Sequence, residues 1–294
     1  MYLAQRARRL VVGIPLIWLI LLFLLPFLIV LKLSFSRLAI PPYAPFLQWI
    51  NGVPHPALHI NNYAFLFTDP LYISAYLYSL KVAAVSTLLC LLLGYPMAYV
   101  IARAAGTWRS VLLMLVVLPF WTSFLLRVYA WIGLLKHNGV INNILLYLGL
   151  IHQPLTMLQT DFAVYVGIVY SYLPFMILPL YANLEKHDVA LLEAAADLGA
   201  RPFNAFRRVT LPQSIPGIIA GSLLVFIPAV GEYVVPSLLG RTDQLMIGRV
   251  LSDEFFENRD WPLASAVAIL MLVLLVVPIM LFQRSGGRQI RGHG

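Results

Sequence analysis

The sequence predicts an all-α, polytopic membrane protein with six transmembrane helices, and three observations carry that prediction. Hydrophobic residues make up 61% of the chain and charged residues only 11%, against roughly a quarter charged in an ordinary soluble domain. With mean hydropathy at +0.85, there are too few ions to solvate a globular surface, so lipid must be the main solvent. Six stretches, 13–35, 80–101, 111–134, 162–184, 215–239 and 263–282, are apolar and long enough to cross a hydrocarbon core of roughly 30 Å. Basic residues, finally, are sorted between alternate connecting segments, as membrane topology requires.

The span at 13–35 follows Arg6, Arg8 and Arg9 and so shares the charged start of a signal peptide. Its apolar run from Leu10 to Leu31 is too long for a signal h-region, and no small-x-small cleavage site follows, so it reads as a retained helix. The outer loop 36–79 is the longest. It is rich in Pro and aromatics (Pro41-Pro42-Tyr43, Trp49, Pro54, Pro56), and 61–78 reads as partly helical, with Asp69-Pro70 as a helix start. Short interfacial helices with aromatic anchors fit it. Five further spans fill 80–282. The outer loop 240–262 carries Asp253, Glu254, Glu257 and Asp260.

Six spans put the terminal segments 1–12 and 283–294 on one side. That side holds Arg6, Arg8, Arg9, Arg103, Arg109, Lys186, Arg201, Arg207, Arg208, Arg284, Arg288 and Arg291, which is 12 of the 20 basic residues. Four acidic residues, Glu185, Asp188, Glu193 and Asp197, oppose them, and the rest of the chain is neutral on balance. The positive-inside rule then places both termini in the cytoplasm of an inner-membrane protein. The same rule accounts for the net charge of +8, which in a soluble protein would suggest nucleic acid; no nucleic-acid partner is expected. Cys90 stands alone in an apolar run and reads as a small buried hydrophobe.

The loop 185–214 has a pattern of its own. Asp188 is a good N-cap residue. Residues 189–198 then favour helix, Gly199 sits where a helix terminus wants positive φ, and Pro202 follows closely. This predicts a helix of about ten residues, or about 15 Å, with Leu191, Ala194, Ala195 and Leu198 along one face. A second short helix fits 202–208, ended by Leu211-Pro212, with Pro216-Gly217 opening the fifth span. Two uses fit the apolar stripe: a docking surface for a partner's groove, or a connector on lipid headgroups aided by Arg201, Arg207 and Arg208. Periodicity alone does not choose between them.

The series Glu193-Ala194-Ala195, three residues, Gly199, nine residues, Val209, one residue, Leu211-Pro212 resembles the EAA motif of ABC-importer permeases. The resemblance implies a type I, MetI-like permease fold over 80–282. It also implies a coupling helix seated in a cleft of a cytoplasmic ATPase dimer, with Glu193, Ala194, Ala195, Asp197, Leu198, Gly199, Leu211 and Pro212 as the coupling residues. Other segments extend it: Asp69-Pro70-Leu71-Tyr72, Leu118-Pro119-Phe120-Trp121-Thr122-Ser123, Lys136-His137-Asn138-Gly139, Phe226-Ile227-Pro228-Ala229-Val230-Gly231-Glu232 and Met246-Ile247-Gly248-Arg249. Together these are similar to polyamine-importer permeases, most of all those of putrescine systems. A second homologous permease, a periplasmic polyamine-binding protein and a place in the bacterial inner membrane are implied with it.

The chain has no G-x-x-x-x-G-K-[ST] phosphate loop, so ATP and Mg are expected on the partner ATPase, and no cofactor is expected here. It has no H-E-x-x-H pair or nucleophile elbow, and so no expected enzymatic role. His187 lies beside Glu185 and Asp188 in a solvated loop; no metal site is expected.

Arg127 and Glu232 fall inside predicted spans, each about 17 residues from its cytoplasmic entry, or roughly 26 Å along a straight helix. Two readings are open. They form a structural ion pair near the outer interface, or Glu232 faces the pathway and meets a substrate ammonium. Aromatics in or beside spans, Tyr95, Tyr99, Trp121, Tyr129, Trp131, Tyr170, Tyr172 and Tyr233, suit a flexible dication through cation–π contacts, though Tyr and Trp also serve as interface anchors. Pro119, Pro174, Pro179, Pro228 and Pro236 predict kinks. Two rivals remain: a related permease for another solute, such as sulfate, molybdate or an iron chelate, and an ion-coupled secondary transporter. Glu232 and the acidic 253–260 cluster favour a cation.

Overall fold

A computed structural model describes residues 2–39, 47–50, 53–56 and 58–286. Arg288, Arg291 and the Pro41-Pro42-Tyr43 segment lie outside the described residues. Helices occupy all six predicted stretches. Two compact units result, one of residues 1–73 with 250–294 and one of 74–249.

In the first unit, α1 (Tyr2–Leu19) passes through a π-helical turn, Ile20–Leu24, into α2 (Leu25–Ser34). The turn has a local cause. The Pro26 ring would collide with the carbonyl four residues back; the helix widens instead, and the Leu25 N–H donates to Ile20 O. Residues 11–25 are exposed almost throughout, as a lipid-facing span requires. The loop 36–79 contains an antiparallel hairpin, Leu47–Ile50 with Val53–Pro56, where only short helices were expected. Its α3 (Asn61–Thr68) is tied to the end of α2: Asn62 Nδ2 donates to Ser34 O at 3.0 Å and Ser36 O at 2.9 Å. Asp69 starts α4 (Pro70–Arg103) as predicted, its carboxylate accepting the Leu71 N–H at 2.8 Å.

The second unit holds most of α4 and a span that breaks in the middle. α5 (Gly106–Val117) gives way to a 3-10 turn, Leu118–Trp121, before α6 (Phe124–Leu135) and α7 (Val140–Tyr147). Pro119 cannot donate and ends the α-helical ladder, and the chain bends by 90° across Thr122 and Ser123. The third span was expected at 111–134 with a kink from Pro119; the structure makes it a pair of helices bent by 90°. α8 (Asp161–Leu184) runs uninterrupted despite Pro174 and Pro179. Its Met176, Ile177, Leu180 and Leu184 form a core with Cys90, Ala98 and Ile101 of α4 and with Val225. Cys90 is buried, as expected.

After α8 come α9 (Ala190–Asp197) and α10 (Pro202–Ala205). A second π turn, Phe206–Thr210, then leads into α11 (Leu211–Val230). Leu211-Pro212 was expected to end a short helix here. The helix instead continues from Pro202 to Val230 over 29 residues, because the π turn accommodates Pro212 as the earlier one accommodates Pro26: the Leu211 N–H donates to Phe206 O. α12 (Val234–Leu239) follows a short break, and α13 (Ile247–Phe256) leads out of the unit. α14 (Trp261–Gly286) returns to the first unit and packs along α2. It is capped by Asp260, whose carboxylate accepts the Leu263 N–H at 3.0 Å.

Candidate functional site

Two places in the second unit carry the predicted functional residues. The first is α9. Asp188 accepts the Ala190 N–H at 2.9 Å, so it primes the helix from one residue before the cap. At the other end Gly199 has φ +80°, a conformation that costs any residue with a Cβ. The Gly199 N–H donates to Ala196 O at 2.8 Å and the Ala200 N–H to Ala195 O at 2.9 Å. These two bonds form a Schellman terminus. No residue of α9 is buried. Glu193, Ala194 and Asp197 are exposed, Ala195 is half-buried, and Leu198 is 89% exposed. Leu191 and Phe203 add exposed apolar surface. Leu211 and Pro212 are exposed too, in the first turn of α11.

This loop is seated on the rest of the unit through Phe206, whose ring meets Tyr95 at 5.7 Å and Tyr99 at 6.2 Å, both edge-on. Tyr95 also hydrogen-bonds Ser214 at 2.9 Å, and Arg103 stands over the Tyr99 ring. Tyr95 and Tyr99, expected along the substrate pathway, both pack against this loop through Phe206.

The second place is the break between α11 and α12. Glu232 is 7% exposed. One carboxylate oxygen accepts the backbone N–H groups of Val234 at 3.1 Å and Val235 at 3.4 Å, at the N-terminus of α12. The other accepts the Tyr172 hydroxyl at 2.5 Å. The break is braced from behind by Gly248: a Cβ there would stand 2.3 Å from Gly231 O. Ile247 is fixed in turn by its N–H bond to Ser79 Oγ at 2.7 Å.

The expected Arg127–Glu232 ion pair is absent. Arg127 lies instead over the rings of Phe120 and Phe124. The expectation assumed straight helices of equal depth; the 90° bend before Arg127 and the end of α11 at Val230 remove that geometry. Trp121, Tyr129 and Tyr233 are exposed. Tyr172, one of the aromatics noted in the spans, bonds Glu232 directly, and Phe120 and Phe175, which were not singled out as site residues, continue from it. Phe120 packs on Phe175 at 5.1 Å, and Phe175 on Tyr172 at 6.1 Å. The available signal was Tyr172 and Phe175 three apart on one helix, with Phe120 beside a helix-breaking Pro119.

The profile of the family described as binding-protein-dependent transport system inner membrane component matches residues 3–292. The chain belongs to that family. Among its relatives is the spermidine/putrescine transport system permease protein PotB of Haemophilus influenzae, 42% identical over 281 residues, which are 96% of this chain and 94% of PotB. PotB of Escherichia coli is 40% identical over 268 residues, 91% and 94% of the two chains. The molybdenum transport system permease protein ModB of Mycobacterium bovis is 32% identical over 219 residues, 73% and 79%. The fold is that of ABC importers. A bacterial alginate importer superposes with TM-score 0.68 at 20% identity, covering 99% of this permease and all of that chain. The MetNI methionine transporter gives 0.51 at 19% identity, over 75% and 95%.

Proposed function

We propose that this permease carries polyamines, putrescine above all, across the bacterial inner membrane as one subunit of an ATP-driven importer. What most supports the substrate class is identity of 40–42% to the PotB permeases over more than nine-tenths of the chain. In this reading both termini are cytoplasmic. A periplasmic polyamine-binding protein delivers substrate to the outer loops, and a second, homologous permease completes the pathway. A cytoplasmic ATPase dimer binds ATP and Mg and supplies all the hydrolysis; this chain performs no covalent chemistry.

The coupling follows from helix continuity. α9 docks in the ATPase through Leu191, Ala194 and Leu198. The helix from Pro202 to Val230 has 29 residues, or about 43 Å, and ends two residues before Glu232. A push on the 190–210 segment therefore reaches the Glu232–Tyr172 contact through one stiff element. When that contact opens, the carboxylate meets a substrate ammonium in place of the tyrosine hydroxyl. Uptake of labelled putrescine and spermidine by the reconstituted complex tests the proposal. Saturable, ATP-dependent uptake of either is expected. Transport of molybdate in place of polyamines, or uptake by the lone chain indifferent to ATP, contradicts it.

A further inference from the structure

Arg127, half-buried, makes no ion pair with a described carboxylate. Its Nε and Nη1 are buried and meet no acceptor, which costs free energy that a hydrogen bond would offset. What holds it is aromatic: its Cζ lies 5.5 Å from the centre of the Phe120 ring and 5.8 Å from that of Phe124. The two rings come from either side of the break in sequence, at Thr122 and Ser123. Phe120 then leads through Phe175 and Tyr172 to Glu232. A row of rings thus has a cation at one end and a carboxylate at the other.

Ring faces attract a cation through their quadrupole, whatever its chemistry. They hold a guanidinium less firmly than a carboxylate would, and they hold an ammonium equally well. We infer that Arg127 is a tethered competitor for the substrate: its guanidinium occupies the Phe120 and Phe124 faces of an aromatic cation site and yields them to an ammonium group of the incoming ligand. The inference rests on the polyamine reading above. The site takes a flexible chain carrying two or more ammonium groups, one on Glu232 and another along the rings. Because Arg127 is tethered, its effective concentration at the rings is high. A ligand with a second charge to anchor on Glu232 displaces it, and a monoamine does not. Its return after passage moves the ammonium onward, since two cations on the same rings repel each other.

The test is the concentration dependence of labelled putrescine uptake by the reconstituted complex, with wild type, Arg127→Met, Arg127→Lys and Phe120→Leu side by side. Arg127→Met is expected to lower KM roughly three- to tenfold, the scale of one cation–π contact, and to weaken rejection of monoamines. Arg127→Lys stays near wild type, because it keeps a tethered cation. Phe120→Leu raises KM. Opposite signs at two touching residues are not what a packing role would produce. An unchanged or raised KM for Arg127→Met, in a complex that still copurifies with its ATPase, overturns the inference. If that variant fails to assemble, the other two decide: a Phe120→Leu KM at or below wild type, or an Arg127→Lys KM well above it, overturns the inference. No wild-type uptake of any polyamine removes the polyamine reading and this inference with it. Wild-type uptake with an unmoved Arg127→Met KM removes the inference alone.

Discussion

The two ends of the helix that runs from Pro202 to Val230 are built by different means. At one end α9 is set by its own sequence: Asp188 primes it, Gly199 closes it with a left-handed turn, and no residue of it is buried. At the other end Glu232 accepts the nearby Val234 and Val235 N–H groups, but the 231–233 break also depends on residues brought from other helices. Tyr172 comes from α8 and Gly248 from the start of α13, and each is needed where it stands. α9 leaves its surface exposed, so its shape has to come from within. The buried carboxylate combines local N–H donors with a hydroxyl brought from another helix.

That contrast predicts how the two ends respond to substitution. The largest effect is expected at Gly248→Val, whose side chain would drive into the Gly231 carbonyl. The cost is about 3 kcal/mol or more, seen as a lower Tm and loss of folded protein in detergent. Tyr172→Phe removes the donor to one Glu232 oxygen and leaves a buried acceptor unpaired, at about 1–3 kcal/mol; the same thermal melts measure it. Gly199→Ala meets no neighbouring atom but must hold positive φ, at about 1 kcal/mol, and is expected to reduce ATPase coupling more than stability. Leu198→Asp changes stability least, by no more than about 0.5 kcal/mol, because the side chain is almost fully exposed. Its effect is on the partner, read as loss of ATPase copurification. A large melting shift at Leu198 with none at Gly248 would reverse the contrast.

The same contrast explains what the sequence could tell. The α9 cap was legible because its signals lie within a dozen residues of one another. The Asp69 start of α4 was legible for the same reason. The six hydrophobic stretches could be placed because burial in lipid needs only composition, but composition could not show that the third is bent or that Pro212 is absorbed by a π turn. The packing of Tyr95 and Tyr99 on the 185–214 loop was not legible, because Phe206, the ring they meet, lies more than a hundred residues later. Glu232 and Tyr172 were each noted, but their pairing could not be read, since a pair 60 residues apart leaves no local pattern.

The most direct measurement compares Leu198→Asp and Glu232→Gln in one reconstituted complex, recording ATPase association, ATP hydrolysis and polyamine uptake together. Leu198→Asp is predicted to lose association, and hydrolysis and uptake with it. Glu232→Gln is predicted to keep its ATPase and its hydrolysis while uptake falls. Wild-type uptake kinetics in Glu232→Gln would contradict the account, because the buried carboxylate would then serve only to cap α12.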